Sequence, residues 1–195
     1  MTAGYAILLD FEATCDDVDP PSPQEIIEFP SVLLRLEDRV VIDEFATFVR
    51  PVHHPTLRPF CTSLTSITQA DVDPAPTFPD ALAAWQAWAA RHALTVDNAV
   101  VATCGDWDLK TMWPEQLRAS GTADTPALFT RWMNVKVPFR RLFPTVKANL
   151  VTMLDALDLP LVGRHHRGID DCRNLAAIVA ALLDRGVPLT PTSPR

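Results

Sequence analysis

Four carboxylates and one histidine fall at three distant places in this chain, each beside an apolar or helix-like run. Asp10 and Glu12 close the run Tyr5-Ala6-Ile7-Leu8-Leu9, and Asp108 follows Ala99-Val100-Val101-Ala102-Thr103. His166 and Asp171 stand at the head of a helix-like stretch over 170–185. Carboxylates repel one another and lose hydration when gathered, so a cluster of them calls for bound hard cations. A histidine beside such a centre can take a proton near neutral pH. Acids around divalent metal, with one base, are the equipment for cutting phosphodiesters.

The elements that must position these groups follow from the apolar spacing. Residues 5–11 form a short, nearly continuous apolar run that suits a strand buried on both faces. Alternate strand residues share a side, so Asp10 and Glu12 present their carboxylates together while Phe11 faces the other layer. On the C-terminal helix, Asp171 shares a stripe with Leu175, Ile178 or Val179, and Leu182, whereas Asp170 aligns with Asn174, Ala177 and Ala181. A carboxylate on a buried stripe needs a partner, either a metal shared with Asp10 or a cation such as Arg173. His166 lies in the turn-rich loop 163–169, five residues before Asp171, where it can reach water at that centre as a general base. One of Asp106 and Asp108 supplies the remaining ligand; spacing leaves both open.

The length of 195 residues, with 48% hydrophobic and 21% charged side chains, fits one compact soluble domain. The expected boundaries are 1–188 for that domain and 189–195 for a frayed tail. No window reaches the roughly 18 apolar residues of a membrane span, and no basic segment precedes the first strand, so the expected location is cytoplasmic. Cys15, Cys61, Cys104 and Cys172 form no CxxC pair, which argues against structural zinc and a disulfide framework. The net charge of −7 hides an asymmetry. Residues 1–130 hold seven basic and nineteen acidic side chains, residues 131–195 ten basic and five acidic. The basic half, with Arg131, Lys136, Arg140, Arg141, Lys147, Arg164, Arg167 and Arg173, suits a polyanion.

Further along, 26–36 and 40–49 read as a hairpin, with Pro30 marking an irregular start or bulge. Helices are predicted over 62–67, 79–92, 106–118, 147–157 and 170–183, and strands over 99–103 and 131–135. Trp85 and Trp88 read as packing residues on the 79–92 helix. The order implies an α/β fold: a mixed sheet with a three-strand antiparallel meander, parallel strands, and helices packed on it.

Five blocks carry a resemblance. Asp10-Phe11-Glu12-Ala13-Thr14-Cys15, Glu25-Ile26-Ile27-Glu28-Phe29-Pro30, residues 60–69, Trp107-Asp108, and His166 with residues 169–174 together resemble the DEDDh 3′-to-5′ exonucleases. The likeness is to the branch of the histone-mRNA 3′-exonuclease and its bacterial relatives, and it runs from Tyr5 to about Leu183. It implies a ribonuclease-H-like fold, Asp10, Glu12, Asp108 and Asp171 as ligands of two Mg²⁺ (or Mn²⁺), and His166 as the base, with Glu12 also in the catalytic group. It further implies that Phe60, Leu64 and Trp107 enclose the 3′-terminal base, with the backbone at Ala13 and Thr14 near the sugar. Core packing is the competing account of Phe60 and Trp107. The implied substrate is a single-stranded 3′ end, RNA favoured over DNA, and the expected state is a monomer. A non-catalytic nucleotide-binding regulator is the rival from another class. Beside the base, His165 and Arg167 depart from the family pattern, with Arg167 meeting either phosphate or water.

Overall fold

The computed structural model describes residues 3–192. The predicted first strand is broken in two: β1 (Tyr5–Leu9) and β2 (Glu12–Ala13). Both pair antiparallel with β3 (Ile26–Arg35), and the register continues through the gap, with Leu9 opposite Ser31 and Glu12 opposite Glu28. Leu36 N–H donates to the Gly4 carbonyl, which puts the ladder bonds of this pair on even positions. Asp10 therefore faces Pro30, which has no N–H to give. Pro30 sits well inside β3 rather than at an irregular start, and the disturbance appears in its neighbour.

β4 (Val41–Phe48) pairs with the other edge of β3 and completes the meander. β5 (Ala99–Thr103) runs parallel to β1, and β6 (Trp132–Asn134) runs parallel to β5. Side-chain alternation in β1 divides the core. Ile7, Leu9 and Phe11 pack with Phe29 and with α3 (Phe78–Arg91), which follows α1 (Pro59–Thr65) and α2 (Gln69–Val72). Trp85 and Trp88 are buried there as packing residues, with ring centroids 6.1 Å apart. Ala6 and Leu8 face the other layer, among residues of α5 (Lys136–Leu142), α6 (Leu150–Ala156) and α7 (Gly168–Asp184). Asp10 and Glu12 continue that second series, so both point toward α7.

The predicted helix over 106–118 begins instead as a π-helical turn, Asp108–Met112, that leads into α4 (Trp113–Ser120). Pro114 supplies no N–H to the carbonyl four residues back, and the wider turn accommodates the gap. α5 was hidden by Pro138, which is tolerated because it falls in the helix's first turn. Of the tail expected to fray from Leu189, the part up to Thr192 is held on β6: Thr192 N–H donates to Trp132 O, and Asn134 N–H donates to Thr192 Oγ1. Residues 193–195 lie outside the described residues. Among the described residues, no helix is long and apolar enough to cross a membrane.

Candidate active site

The break in the first strand and the N-terminus of α7 meet at one point. A Cβ on Gly168 would stand 2.6 Å from Asp10 O and 2.8 Å from Pro30 Cγ, so only glycine lets the helix come this close. Glu28, almost fully buried, secures the approach from β3. Its carboxylate accepts Gly168 N–H at 3.0 Å and Ile169 N–H at 3.4 Å, and pairs with Arg167 Nε at 3.3 Å. It caps a helix whose own N-cap residue, Arg167, makes no side-chain cap bond. Asp171, one turn in, thereby comes beside the strand acids: ligand atoms of Asp10, Glu12 and Asp171 lie within 4.8 Å of one another.

The loop ahead of α7 is tied to the same carboxylate. Asp171 Oδ2 accepts the His166 N–H at 2.8 Å, and His165 Nδ1 lies 3.1 and 3.2 Å from the two carboxylate oxygens. His166 has φ 66°, a left-handed conformation costing about 1–2 kcal/mol for a residue with a side chain. Asp170, on its separate stripe as predicted, accepts Arg164 N–H and Arg173 Nη1–H. Arg173 also pairs with Glu44, so it does not neutralise Asp171. Arg167 is bound to Glu28 and lies 4.5 Å over the Phe48 ring.

Tertiary partners separate Asp106 from Asp108. Asp106 accepts Trp132 Nε1–H and Asn134 Nδ2–H, one on each oxygen, and anchors its loop to β6. Asp108 is buried and accepts Phe11 N–H at 2.9 Å. That amide belongs to the broken stretch, so Asp108 holds the bend that carries Asp10. Asp108 stands outside the 4.8 Å triad, but it is close enough for its charge to act on Asp10.

Gathering these acids has the electrostatic consequence expected of like charges brought together out of water. Burial, followed by Asp108, Glu12 and Asp171, raises the Asp10 carboxyl well above its usual range, with Lys136 acting the other way. Burial and then Asp171 push Glu12 up to about 9. Burial raises Asp108 to about 6 against the opposing Phe11 amide. Asp171 is also raised by burial, against its bond from His165. Burial and then His165 lower His166 below the ordinary imidazole value, which favours the neutral form a base requires. An all-oxygen donor set of this charge fits Mg²⁺ or Mn²⁺.

Asp10, Glu12, Asp171, His165, His166 and Lys136 open into a cavity of about 390 Å³, which Ala13, Leu64 and Trp107 also line. Trp107 is 40% and Phe60 37% exposed, so core packing explains neither. Phe60 is one turn before Leu64 on α1 and is not part of the cavity wall. Thr14 is not part of the cavity wall, and its polar groups are engaged: its N–H donates to Glu25 O, its carbonyl accepts Gln24 Nε2–H, and its hydroxyl accepts Glu25 N–H.

Residues 7–179 match the family model described as Exonuclease (RNase_T). The chain belongs to this exonuclease family. ERI1 exoribonuclease 3 of Homo sapiens is 42% identical over 194 residues, covering 97% of this chain and 56% of the relative. The 3′-5′ exoribonuclease 1 of Homo sapiens is 36% identical over 189 residues, covering 95% and 54%. The chain thus spans about half the length of these curated relatives. Among solved structures, the nuclease domain of 3′hExo, a DEDDh family member bound to rAMP, superposes with a TM-score of 0.93 at 34% identity, covering 99% of this chain and 98% of that one. The cell-death related nuclease CRN-4 gives 0.91 at 27%, covering 97% and 67%. The mixed sheet with helices on both faces is the ribonuclease-H-like fold of these nucleases.

Sequence reasoning gave no role to Glu28, Gly168 or His165 and counted Lys136 only as part of a basic region. For Glu28 a signal was present, an acid inside a β-branched apolar run. Gly168 had none, because the clash it avoids is with residues 158 and 138 positions away.

Proposed function

We propose that this exonuclease-family chain removes nucleotides from the 3′ end of single-stranded RNA and releases nucleoside 5′-monophosphates. The observation that carries this is the triad Asp10, Glu12 and Asp171, set with two histidines in a cavity that Trp107 and Leu64 also line. The names of the relatives, exoribonucleases, and the rAMP bound to the similar nuclease domain favour RNA over DNA.

Asp10, Glu12 and Asp171 would hold two Mg²⁺ or Mn²⁺, with Asp108 completing the acidic set. Bound there, such ions supply Lewis-acid polarisation of the phosphate and a more acidic water. Trp107 would offer a face for the terminal base, with Leu64 lining the same cavity and exposed Phe60 one turn away from it on α1. His166 takes the proton of the attacking water at its imidazole nitrogen. Lys136 puts a positive charge beside Asp10, where the substrate phosphate would lie. The segment 136–150 leaves the cavity at Lys136 and returns at Asn149 and Leu150, exposing Arg140, Arg141 and Lys147 between them. Those cations would attract the strand with low sequence preference. The four free thiols fit a reducing, cytoplasmic setting.

The test is a 3′-labelled RNA incubated with Mg²⁺ or Mn²⁺ beside its DNA counterpart, using wild type and His166→Ala. Labelled mononucleotide from wild type alone, faster from RNA, is expected. Internal fragments would reject exonucleolytic action, and equal rates from both proteins would remove His166 from the mechanism.

A further inference from the structure

The loop before α7 carries a donor set that Mg²⁺ chemistry does not need. His165, His166 and Asp171 each offer a ligand atom, and these atoms lie within 4.8 Å of one another. Neighbouring residues of an extended chain point to opposite sides. Here the left-handed conformation of His166 turns its ring to the same side as His165; the rings stack with centroids 3.9 Å apart at 24°, and joint coordination of one ion requires one ring to rotate out of that stack. Both imidazoles therefore flank one buried carboxylate. His165 Nδ1 is hydrogen-bonded at 3.1 and 3.2 Å to the Asp171 oxygens, a spacing that an ion with bonds of about 2.0 Å and a tetrahedral edge of about 3.3 Å can replace with little movement.

We propose that His165, His166 and Asp171 form a second site, sharing Asp171 with the acidic triad, for a nitrogen-seeking divalent metal, filled by Zn²⁺, whose occupation inhibits the enzyme. Two imidazoles and a carboxylate, with water in fourth place, are a donor set preferred by Zn²⁺ and poorly suited to Mg²⁺, which favours oxygen. Binding moves the His165 ring proton from Nδ1 to Nε2, with no change in the ring's charge. Zinc held there occupies the imidazole that serves as base and a carboxylate of the acidic triad, so both functions are lost together. The inhibitory consequence rests on the exonuclease reading; the metal site itself does not.

The experiment compares wild type with His165→Asn. Residue 165 is half-exposed, so the change leaves the core intact. Zn²⁺ affinity is read by competition with a chromophoric chelator, and coordination by the visible spectrum of bound Co²⁺, neither of which requires turnover. The expected results are a zinc affinity at least about 10-fold weaker in His165→Asn, since even outer-shell partners are worth roughly 10–100-fold. The intense four-coordinate Co²⁺ bands of wild type should also be lost. Zinc inhibition of RNA digestion, scaled to each protein's own zinc-free rate, should need at least about 10-fold more metal in the variant. Equal affinities and equal Co²⁺ spectra would overturn the site. Weakened zinc binding in a protein that digests no RNA would leave the site standing and defeat the proposed function instead.

Discussion

Gly168→Ala tests whether the close approach of α7 to the broken strand creates the site. The new Cβ would stand 2.6 Å from Asp10 O, 2.8 Å from Pro30 Cγ and 3.3 Å from Glu28 Oε2. Two of these neighbours are backbone or a proline ring, which cannot rotate away. Relief requires the helix start to retreat by roughly 1 Å to recover ordinary contact distance. Overpacking of this kind costs about 1–3 kcal/mol, partly offset by alanine's better helix propensity, and lowers Tm by roughly 2–10 °C. The same retreat moves Asp171 away from Asp10 and Glu12, and a misplacement of about 1 Å is worth about 100-fold in rate. The expected result is a folded protein with kcat/KM down about 100-fold on 3′-labelled RNA. Gly121→Ala is the control. Its φ of +66° costs about 1–2 kcal/mol in alanine, yet nothing lies within 4 Å of its Cβ and it ends α4, away from the cavity. It should lose similar Tm at unchanged kcat/KM. If Gly168→Ala behaves the same way, the close approach has no part in catalysis.

Glu28→Ala removes the cap of α7 and the partner of Arg167; denaturant unfolding should show a loss of about 2–3 kcal/mol, and kcat should fall more than KM rises. Glu28→Gln, which keeps an acceptor, should recover most of kcat. The raised carboxyl groups make the metal-free folded protein bind more protons than the unfolded chain between about pH 4 and 9, so its stability falls as pH rises through that window. Thermal unfolding with and without Mg²⁺ should show a larger stabilisation near pH 8.5 than near pH 6, because the ion displaces those protons. Glu12→Gln should flatten the metal-free curve. Trp107→Ala should leave stability within about 0.5 kcal/mol, since the ring is 40% exposed, while KM for single strands rises roughly 5- to 150-fold from lost stacking. An unchanged KM would assign the base contact elsewhere.

Which parts of the site could be read from the chain follows from the range of the forces involved. Strand alternation is local, and it correctly sends Asp10 and Glu12 to one face and Phe11 to the other. Helical spacing is equally local, and residue counting alone separates Asp171 from Asp170. The choice between Asp106 and Asp108 is not local. Asp106 is claimed by Trp132 and Asn134 of a strand that begins 26 residues later, and Asp108 by an amide 97 residues earlier. The broken strand is equally hidden, because its cause is a missing donor on Pro30, which becomes relevant only once register sets Pro30 against Asp10.

These non-local features share one physical purpose. An unbroken strand would engage the Phe11 amide and the Asp10 carbonyl in ordinary ladder bonds or leave them to water. Pro30 withholds the donor, Asp108 captures the amide, and Gly168 brings a helix against the carbonyl. The result draws together acids whose raised proton affinities show that the fold alone does not favour their charges. Stability must then come from elsewhere. The opposite face of the sheet supplies it, where Phe29 stacks on Trp85 at 5.9 Å and Trp113 meets Phe129 edge-on at 4.7 Å. Phe11 joins that cluster, 5.0 Å from Phe29. One residue thus anchors in the stable layer while Asp10 and Glu12, on either side of it, are held in the strained one.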